Sequence, residues 1–225
     1  MKLKAILCAT LAAVAIPFSH AQQGSEFSLR FLAFPRQADS EPLQLLIGDG
    51  QTIPIKTPGH TLSPAYKVKL LSSIVVGVTE KNNLNVPIFK VLGRAASLPS
   101  SKQIILLLRK GQNNSDGFVV LPIDGDLAKF SGASFLFINA SNLEVGGKIG
   151  DKTFQLNPGQ RNLLHPAATH EGGFCQVTLA YQTEEKWQTF IDTRWSMSSR
   201  RRSIVFFYQE PQTGYLGIAP IVDVL

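Results

Sequence analysis

Cysteine is nearly absent from this chain, which has only Cys8 and Cys175 among its 225 residues. Cys8 lies in an N-terminal segment that we expect to be removed, so one cysteine remains and an intrachain disulfide is excluded. The folded protein must therefore be stabilised by its packed core. Because a free cysteine behaves as a small apolar side chain, we expect Cys175 to be buried. A reactive thiol or an intermolecular disulfide is the alternative.

The chain also lacks a long apolar run after its first 21 residues. Residues 1–21 have the pattern of a secretory signal peptide, because Lys2 and Lys4 precede an apolar run over residues 5–18 and small residues lie at the cleavage positions. That run is shorter than the roughly 20 residues of a membrane-spanning helix. The sequence therefore predicts an exported protein, periplasmic or extracellular, with no integral membrane segment after cleavage.

A strong charge of either sign is missing as well. The net charge of the whole chain is +6, and loss of Lys2 and Lys4 with the signal peptide lowers it to +4. A charge this weak gives no support for a nucleic-acid partner, and we predict none. It suits an anionic partner, for which we predict an envelope protein or an acidic glycan.

Recognisable signatures of catalysis are absent. The sequence contains no Gly-x-Ser-x-Gly motif, no His-Glu-x-x-His motif and no Cys-x-x-Cys pair. We therefore predict a protein that is not an enzyme and holds no cofactor. After the signal peptide, no window of a dozen residues shows the apolar period of 3.6 residues that is typical of a helix, so helix should be scarce.

What the sequence does contain is a repeat of about one hundred residues. The triplet Ile-Gly-Asp occurs at residues 47–49 and 149–151, and Pro-Gly turns follow at residues 58–59 and 158–159. Further pairs recur in the same order: Leu62-Ser63-Pro64 with Leu164-His165-Pro166, Arg94 with Arg194, residues 102–107 with residues 202–207, and Pro122-Ile123 with Pro220-Ile221. Collinear matches through the whole copy predict an internal duplication.

Short segments rich in β-branched and aliphatic residues, bounded by Gly, Pro, Asn or Asp, recur through both copies. The sequence therefore predicts an all-β protein made of two tandem antiparallel β-sandwiches of immunoglobulin-like size, with six or seven strands each. Module 1 would span residues 22–128 and module 2 residues 129–225. Residues 124–126 and 131–132, which are rich in Gly and Asp, interrupt the strand pattern between them.

A basic segment of module 2 is the first candidate site. Residues 195–202, Trp-Ser-Met-Ser-Ser-Arg-Arg-Arg, are predicted to form a hairpin tip. Guanidinium groups can pair with carboxylate or phosphate groups, and indole rings can stack on sugars. The candidate residues for contact with a ligand or partner are Trp187, Trp195, Arg200, Arg201 and Arg202. The alternative is an ordinary turn, kept solvated by charges that also discourage edge-to-edge pairing.

The second candidate lies within residues 165–175. His165, His170, Glu171 and Cys175 supply the nitrogen, oxygen and sulfur donors that zinc and copper accept. Their spacing matches no strong metal motif, and the first copy has no counterpart. A metal-binding protein or metal-dependent enzyme centred here is therefore an alternative to the simpler interpretation, a loop that leads through a Gly-Gly hinge into a strand with a buried cysteine.

One segment of module 2 resembles known proteins. Residues 135–141, Phe-Leu-Phe-Ile-Asn-Ala-Ser, are followed by Ile-Gly-Asp at 149–151 and Pro-Gly at 158–159. This order resembles that of small exported bacterial β-sandwich modules of unknown function and of the periplasmic accessory protein of alginate acetylation. The resemblance implies a non-catalytic role in the cell envelope, and it assigns no functional residue.

The overall plan of a signal peptide and two β-sandwiches is also similar to that of periplasmic pilus chaperones. That similarity implies strand addition to a subunit as the mechanism. The paired basic anchor residues of those chaperones have no clear counterpart in this sequence. We therefore predict an exported, non-catalytic binding or scaffold protein, with a strand-exchange chaperone or structural subunit as a further alternative.

Overall fold

The computed structural model describes residues 26–35, 42–69, 71–110, 116–167, 173–210 and 213–225. The predicted signal peptide, residues 1–21, lies outside them. The first eight strands are β1 (Glu26–Phe34), β2 (Leu43–Gly48), β3 (Gln51–Ile55), β4 (Tyr66–Lys69), β5 (Ser73–Lys81), β6 (Pro87–Ala96), β7 (Lys102–Arg109) and β8 (Phe118–Asp124). The next eight are β9 (Phe135–Asn139), β10 (Val145–Ile149), β11 (Lys152–Leu156), β12 (Arg161–Leu164), β13 (Phe174–Gln182), β14 (Trp187–Ser196), β15 (Arg201–Gln209) and β16 (Leu216–Val224).

The protein is all-β, and its strands form two pairs of four-stranded sheets. In module 1, sheet A has the order β4-β1-β7-β8 and sheet B the order β3-β2-β5-β6. In module 2, sheet C has the order β12-β9-β15-β16 and sheet D the order β11-β10-β13-β14. Adding eight to each strand number converts sheet A into sheet C and sheet B into sheet D, which supports the predicted internal repeat.

The strand registers repeat in the same way. In β1 and β7, Leu29 lies opposite Gln103, and in β9 and β15, Phe135 lies opposite Ser203. These two pairs of strands are parallel, whereas the other strand pairs of the described sheets are antiparallel. The two sandwiches expected from the sequence are thus present, but the described residues of each form eight strands with one parallel pair. Parallel neighbours require a crossover connection, and the chain supplies it by passing through sheet B or sheet D between them.

Three apolar cores hold the strands together. The first fills the space between sheets A and B, and the third fills the space between sheets C and D. The second, which we call the middle core, joins the outer faces of sheets A and C and thereby packs the modules on each other. Its buried members are Leu32, Phe34, Leu62, Ile104, Leu106, Ile123, Phe130, Leu136, Ile138, Ile204, Phe206 and Ile221.

The sequence of the central strands explains the middle core. Successive residues of a strand point to opposite faces of the sheet, so a strand buried on both faces needs apolar residues at every position. In β1, Phe31 belongs to the first core and Leu32 to the middle core; in β15, Phe206 belongs to the middle core and Phe207 to the third. The rings of Phe34 and Phe206 stack across the modules, with centroids 4.4 Å apart.

Within the described ranges, the chain has no helix of the length and apolar character that crossing a membrane requires.

Candidate functional site

The predicted basic tip is a connection between the two sheets of module 2 and not a hairpin. It links β14, at one edge of sheet D, to β15, in the middle of sheet C. We call residues 197–201 the basic crossing. The amide of Met197 donates a hydrogen bond to the carbonyl of Gly173 (2.6 Å), and the amide of Arg201 donates to the carbonyl of Ser198 (3.0 Å). These bonds fix the path of the crossing at both ends.

A second turn packs directly against the basic crossing. The amide of Ala133 donates to the carbonyl oxygens of Ser198 (2.9 Å) and Arg201 (2.7 Å). A Cβ atom at Gly132 would lie 1.9 Å from the carbonyl oxygen of Ser199, so only glycine allows this close approach. The connection between the modules therefore positions the crossing.

A shallow pocket lies where the two turns meet. Its polar lining consists of Ser134, Ser196, Ser198, Ser203 and Arg201. The guanidinium Nη2 of Arg201 donates to the hydroxyl of Ser196 (3.1 Å). Hydroxyl groups beside a guanidinium are suited to an anionic group, because charge-assisted hydrogen bonds to carboxylates and phosphates are the stronger ones.

Arg200 and Arg201 are both exposed. Within the part of the chain that the structure describes, neither side chain has a carboxylate partner. Guanidinium groups that no described carboxylate neutralises, beside a hydroxyl-lined pocket, give this end of module 2 a locally positive surface.

Arg202 does not belong to that surface, and this corrects its place among the candidate contact residues. It is the second residue of β15 and is only 4% exposed. Its Nε donates to Oδ2 of Asp223 (2.8 Å), and its Nη1 donates to the carbonyls of Gly125 (3.1 Å) and Phe130 (2.7 Å). The reason is strand alternation, because residues 202, 204 and 206 point to the face that packs on module 1.

The two tryptophans lie at opposite ends of β14. Trp195 is opposite Cys175, next to the basic crossing, whereas Trp187 is opposite Gln182 at the far end. Trp195 is half-buried, and its ring lies 5.7 Å from that of Phe135. Trp187 is 42% exposed. They are eight positions apart along the strand, or roughly 27 Å, so they do not form one surface.

The two candidate metal ligands that the structure describes differ in exposure. His165 is exposed, whereas Cys175 is fully buried in the third core. His170 and Glu171 lie outside the described residues. Among the residues described, no cluster of three or more His, Cys, Asp or Glu side chains could hold a metal ion. Burial raises the pKa of the Cys175 thiol, which keeps it protonated and unreactive.

Among the described residues, the hydroxyl of Ser131 lies near His165. The Oγ of Ser131 lies 3.5 Å from His165 Nδ1, which is long for a hydrogen bond that activates a nucleophile. The nearby Asp151 carboxylate accepts a hydrogen bond from the amide of Ala167 (2.9 Å) and pairs with Lys152 (2.7 Å). The bond from Lys152, followed by that from Ala167, lowers the pKa of Asp151. Nothing in the described residues points to catalysis.

Sequence reasoning found the arginines but missed the serines around them. Ser196 and Ser198 were visible within the basic segment, but Ser134 and Ser203 come close to them only through the parallel pairing of β9 with β15. No local sequence pattern indicates that pairing.

Comparison with known proteins does not place this chain in a family. The sequence matches no known family model. It also matches none of the curated proteins. Functional inference therefore depends on the chemistry and geometry of this chain.

Proposed function

We propose that this protein is an exported, non-catalytic binding protein of the cell envelope. In this proposal, the basic crossing of module 2 contacts an anionic group on a partner protein. The observation that carries the proposal is the exposure of Arg200 and Arg201 beside the hydroxyl-lined pocket, without a carboxylate partner among the described residues. Export is inferred from the signal pattern of residues 1–21.

Module 1 then acts as a support. The middle core packs module 2 onto it, and Asp223 of module 2 accepts hydrogen bonds from both Arg202 and Arg30 of module 1. The crossing is thus attached to a packed core shared by both modules, and a binding site held in place by packing loses less conformational entropy when it binds.

The favoured partner is a protein and not an acidic glycan. The pocket is small and has one guanidinium at its wall, which fits a single carboxylate better than a chain of repeated acidic sugars. Moreover, the exposed indole of Trp187 lies at the other end of β14 and cannot stack on a sugar held at the crossing.

The experiment is a capture assay with the exported full chain, immobilised and exposed to envelope extract. The test variant combines Arg200→Ser with Arg201→Ser. The control variant combines Lys148→Ser with Arg194→Ser, which removes the same charge from the exposed outer face of sheet D. We expect one protein to be retained by the wild type and the control and lost from the test variant. Capture should also weaken as salt is added, because exposed charges are screened.

Two results would contradict this proposal. Equal capture by all three proteins would show that the basic crossing is not the contact surface. Direct binding of a purified polyuronate to the wild type but not to the test variant would identify an acidic glycan as the partner.

A further inference from the structure

The two modules differ at one side of the sandwich. In module 1 this side is formed by β6 and β8, and two glycines let these strands touch. A Cβ atom at Gly93 would lie 2.6 Å from Val120 Cγ2 and 3.0 Å from the carbonyl oxygen of Phe118. A Cβ atom at Gly117 would lie 2.5 Å from the carbonyl oxygen of Leu92. Such contacts are too short for any other residue, so the glycines close this side of module 1.

The strand registers identify the residue that takes the place of Gly93 in module 2. Gly93 pairs with Val76, next to a bulge in the pairing of β5 with β6. In module 2 the same bulge occurs in the pairing of β13 with β14, and there Leu179 pairs with Ile191. Module 2 thus has the branched side chain of Ile191 at the position where module 1 has the glycine Gly93.

The second glycine is replaced as well. Phe118 begins β8 and Leu216 begins β16, each opposite the last residue of the strand before it. The residues just before them are therefore equivalent, so Tyr215 takes the place of Gly117. With Ile191 in place of Gly93, β14 and β16 cannot approach each other as β6 and β8 do.

The side of module 2 is open as a consequence. Phe118 is 2% exposed, but its equivalent Leu216 is only half-buried. Pro122 is buried, whereas its equivalent Pro220 is exposed, and Val222 is 43% exposed. We call this opening between β14 and β16 the side groove. Its apolar lining includes Phe190, Ile191, Trp195, Leu216, Ile218 and Val222.

The groove has the form of a site for an extended polypeptide. Among the described residues, β14 and β16 are the last strands of their sheets, so each has backbone N–H and C=O groups on one side without a strand neighbour there. An added strand can pair with such groups and direct every second side chain into an apolar groove. The nine residues of β16 span about 30 Å, which sets the length of the segment that fits.

The ends of the groove carry opposite charges. Arg200 and Arg201 lie at the end where β14 stops and β15 begins. Glu184, Glu185 and Glu210 lie at the other end, where β14 begins and β15 stops, and they outnumber Lys186 there. An extended segment with an acidic residue at one end and a basic residue at the other complements both. A lone acyl chain would use neither the free backbone groups nor the acidic end.

We propose that the side groove of module 2 binds an extended segment of a partner protein as an added strand, with alternate apolar side chains in the groove and an acidic residue against Arg201. This inference rests on the proposed function, which it deepens by naming the kind of segment recognised. Antiparallel to β16, the segment would place its N-terminal end beside Arg201.

The probe is a synthetic nine-residue peptide with blocked ends, valine at alternate positions, threonine between them, aspartate near the N-terminus and lysine near the C-terminus. A second peptide has the same composition, but its valines are adjacent. Binding of each to the full chain is measured by fluorescence anisotropy. The alternating peptide should bind at least about tenfold more tightly, because only its apolar side chains share one face.

Two variants test the place of binding. Ile218→Lys puts a charge in the middle of the groove, and Pro220→Lys puts one at an exposed position of the groove that tolerates lysine and lies outside the pocket at Arg201. Each should weaken binding of the alternating peptide about tenfold or more. The matched control is Val91→Lys, at a residue of module 1 that is 47% exposed. It should leave binding unchanged. Circular dichroism and thermal unfolding establish that each variant is folded.

Equal affinity for the two peptides, no binding of either, or unchanged binding by folded Ile218→Lys and Pro220→Lys variants would each overturn the proposal. The proposal would also be overturned if light scattering showed a dimer for the wild type and a monomer for either variant. The groove would then hold a second copy of this chain. If laurate displaced a fluorescent fatty acid from the groove and the alternating peptide did not, the ligand would be an acyl chain. If the peptides do not bind but capture still depends on Arg200 and Arg201, only the groove proposal fails. If the alternating peptide binds but capture does not depend on these arginines, only the proposed function fails.

Discussion

Arg202 and Asp223 form a buried ion pair, with Nε 2.8 Å from Oδ2 and both side chains almost fully enclosed. Asp223 also accepts a hydrogen bond from Arg30 of module 1 at 2.7 Å, so one carboxylate joins a strand from each module. The plane of the Arg202 guanidinium lies over the ring of Phe130, 4.5 Å from its centroid. A charge enclosed in this way is stable only while its partners are in place.

The first prediction concerns this pair. Asp223→Ala should lower the free energy of unfolding by about 3–5 kcal/mol, because it leaves the Arg202 guanidinium buried without its counter-ion. Urea denaturation measures the loss. The control is Glu80→Ala, which breaks the exposed pair between Glu80 and Lys90 and should cost about 1 kcal/mol or less. Losses of similar size in the two variants would contradict the account of Asp223.

The second prediction concerns the middle core. Because this core joins the modules, the wild type should unfold in a single calorimetric transition. Phe206→Ala removes a fully buried ring that stacks on Phe34, and it should cost about 3–5 kcal/mol. It should also separate the unfolding into two transitions. Phe137→Ala, in the third core, should cost a similar amount but keep one transition. Two transitions in the wild type would show that the modules are independent.

Much of the fold follows from the sequence, but the packing of the two modules through the middle core does not. Turn residues and β-branched segments predicted two all-β copies. The apolar runs around Leu32 and Phe206 also carried a signal that both faces of β1 and β15 are buried. Which surface covers the second face cannot be read from such runs. Six or seven strands were expected in each module, whereas the described residues of each module form eight.

The strand order supports the predicted repeat, but two of the residue pairs matched in the sequence do not occupy equivalent positions in the two modules. Arg94 pairs with Val75 of β5, whereas Arg194 pairs with Gln176 and lies further along its strand. Leu164 lies opposite Phe135, the position that Tyr66 occupies in module 1. The offset between the copies varies because their loops differ in length. The replacement of Gly93 by Ile191 was therefore hidden, since it appears only when strand pairing aligns the copies.

The third prediction concerns the glycines that close module 1. Gly117 has a φ of +78°, and a Cβ there would lie 2.5 Å from the carbonyl oxygen of Leu92. Gly117→Ala should therefore lower the free energy of unfolding by about 1–2 kcal/mol through backbone strain and by about 1–3 kcal/mol more through the steric contact. Gly214 has a φ of +71° with no atom near its Cβ position, so Gly214→Ala should cost only the strain. Equal losses in urea denaturation would mean that β6 and β8 are not in tight contact.

The fourth prediction concerns Cys175 and pH. Burial raises the pKa of its thiol, so the folded protein keeps the proton at a pH where the unfolded chain loses it. The resulting stabilisation is fully present below the unfolded pKa of about 8.5 and is lost as the pH rises toward the folded value. At pH 7, Cys175→Ala should be less stable than the wild type, because the buried sulfur is removed from the core.

That difference in stability should shrink when urea denaturation is repeated at pH 10. Only the wild type has this thiol to ionise on unfolding, whereas all other groups titrate in both proteins and cancel in the comparison. The native wild type should also react slowly with a thiol-specific disulfide reagent at pH 8 and rapidly in urea, since the sulfur is enclosed. A stability difference that is the same at pH 7 and pH 10, or rapid reaction of the native protein, would show that the thiol is already accessible and ionised in the fold.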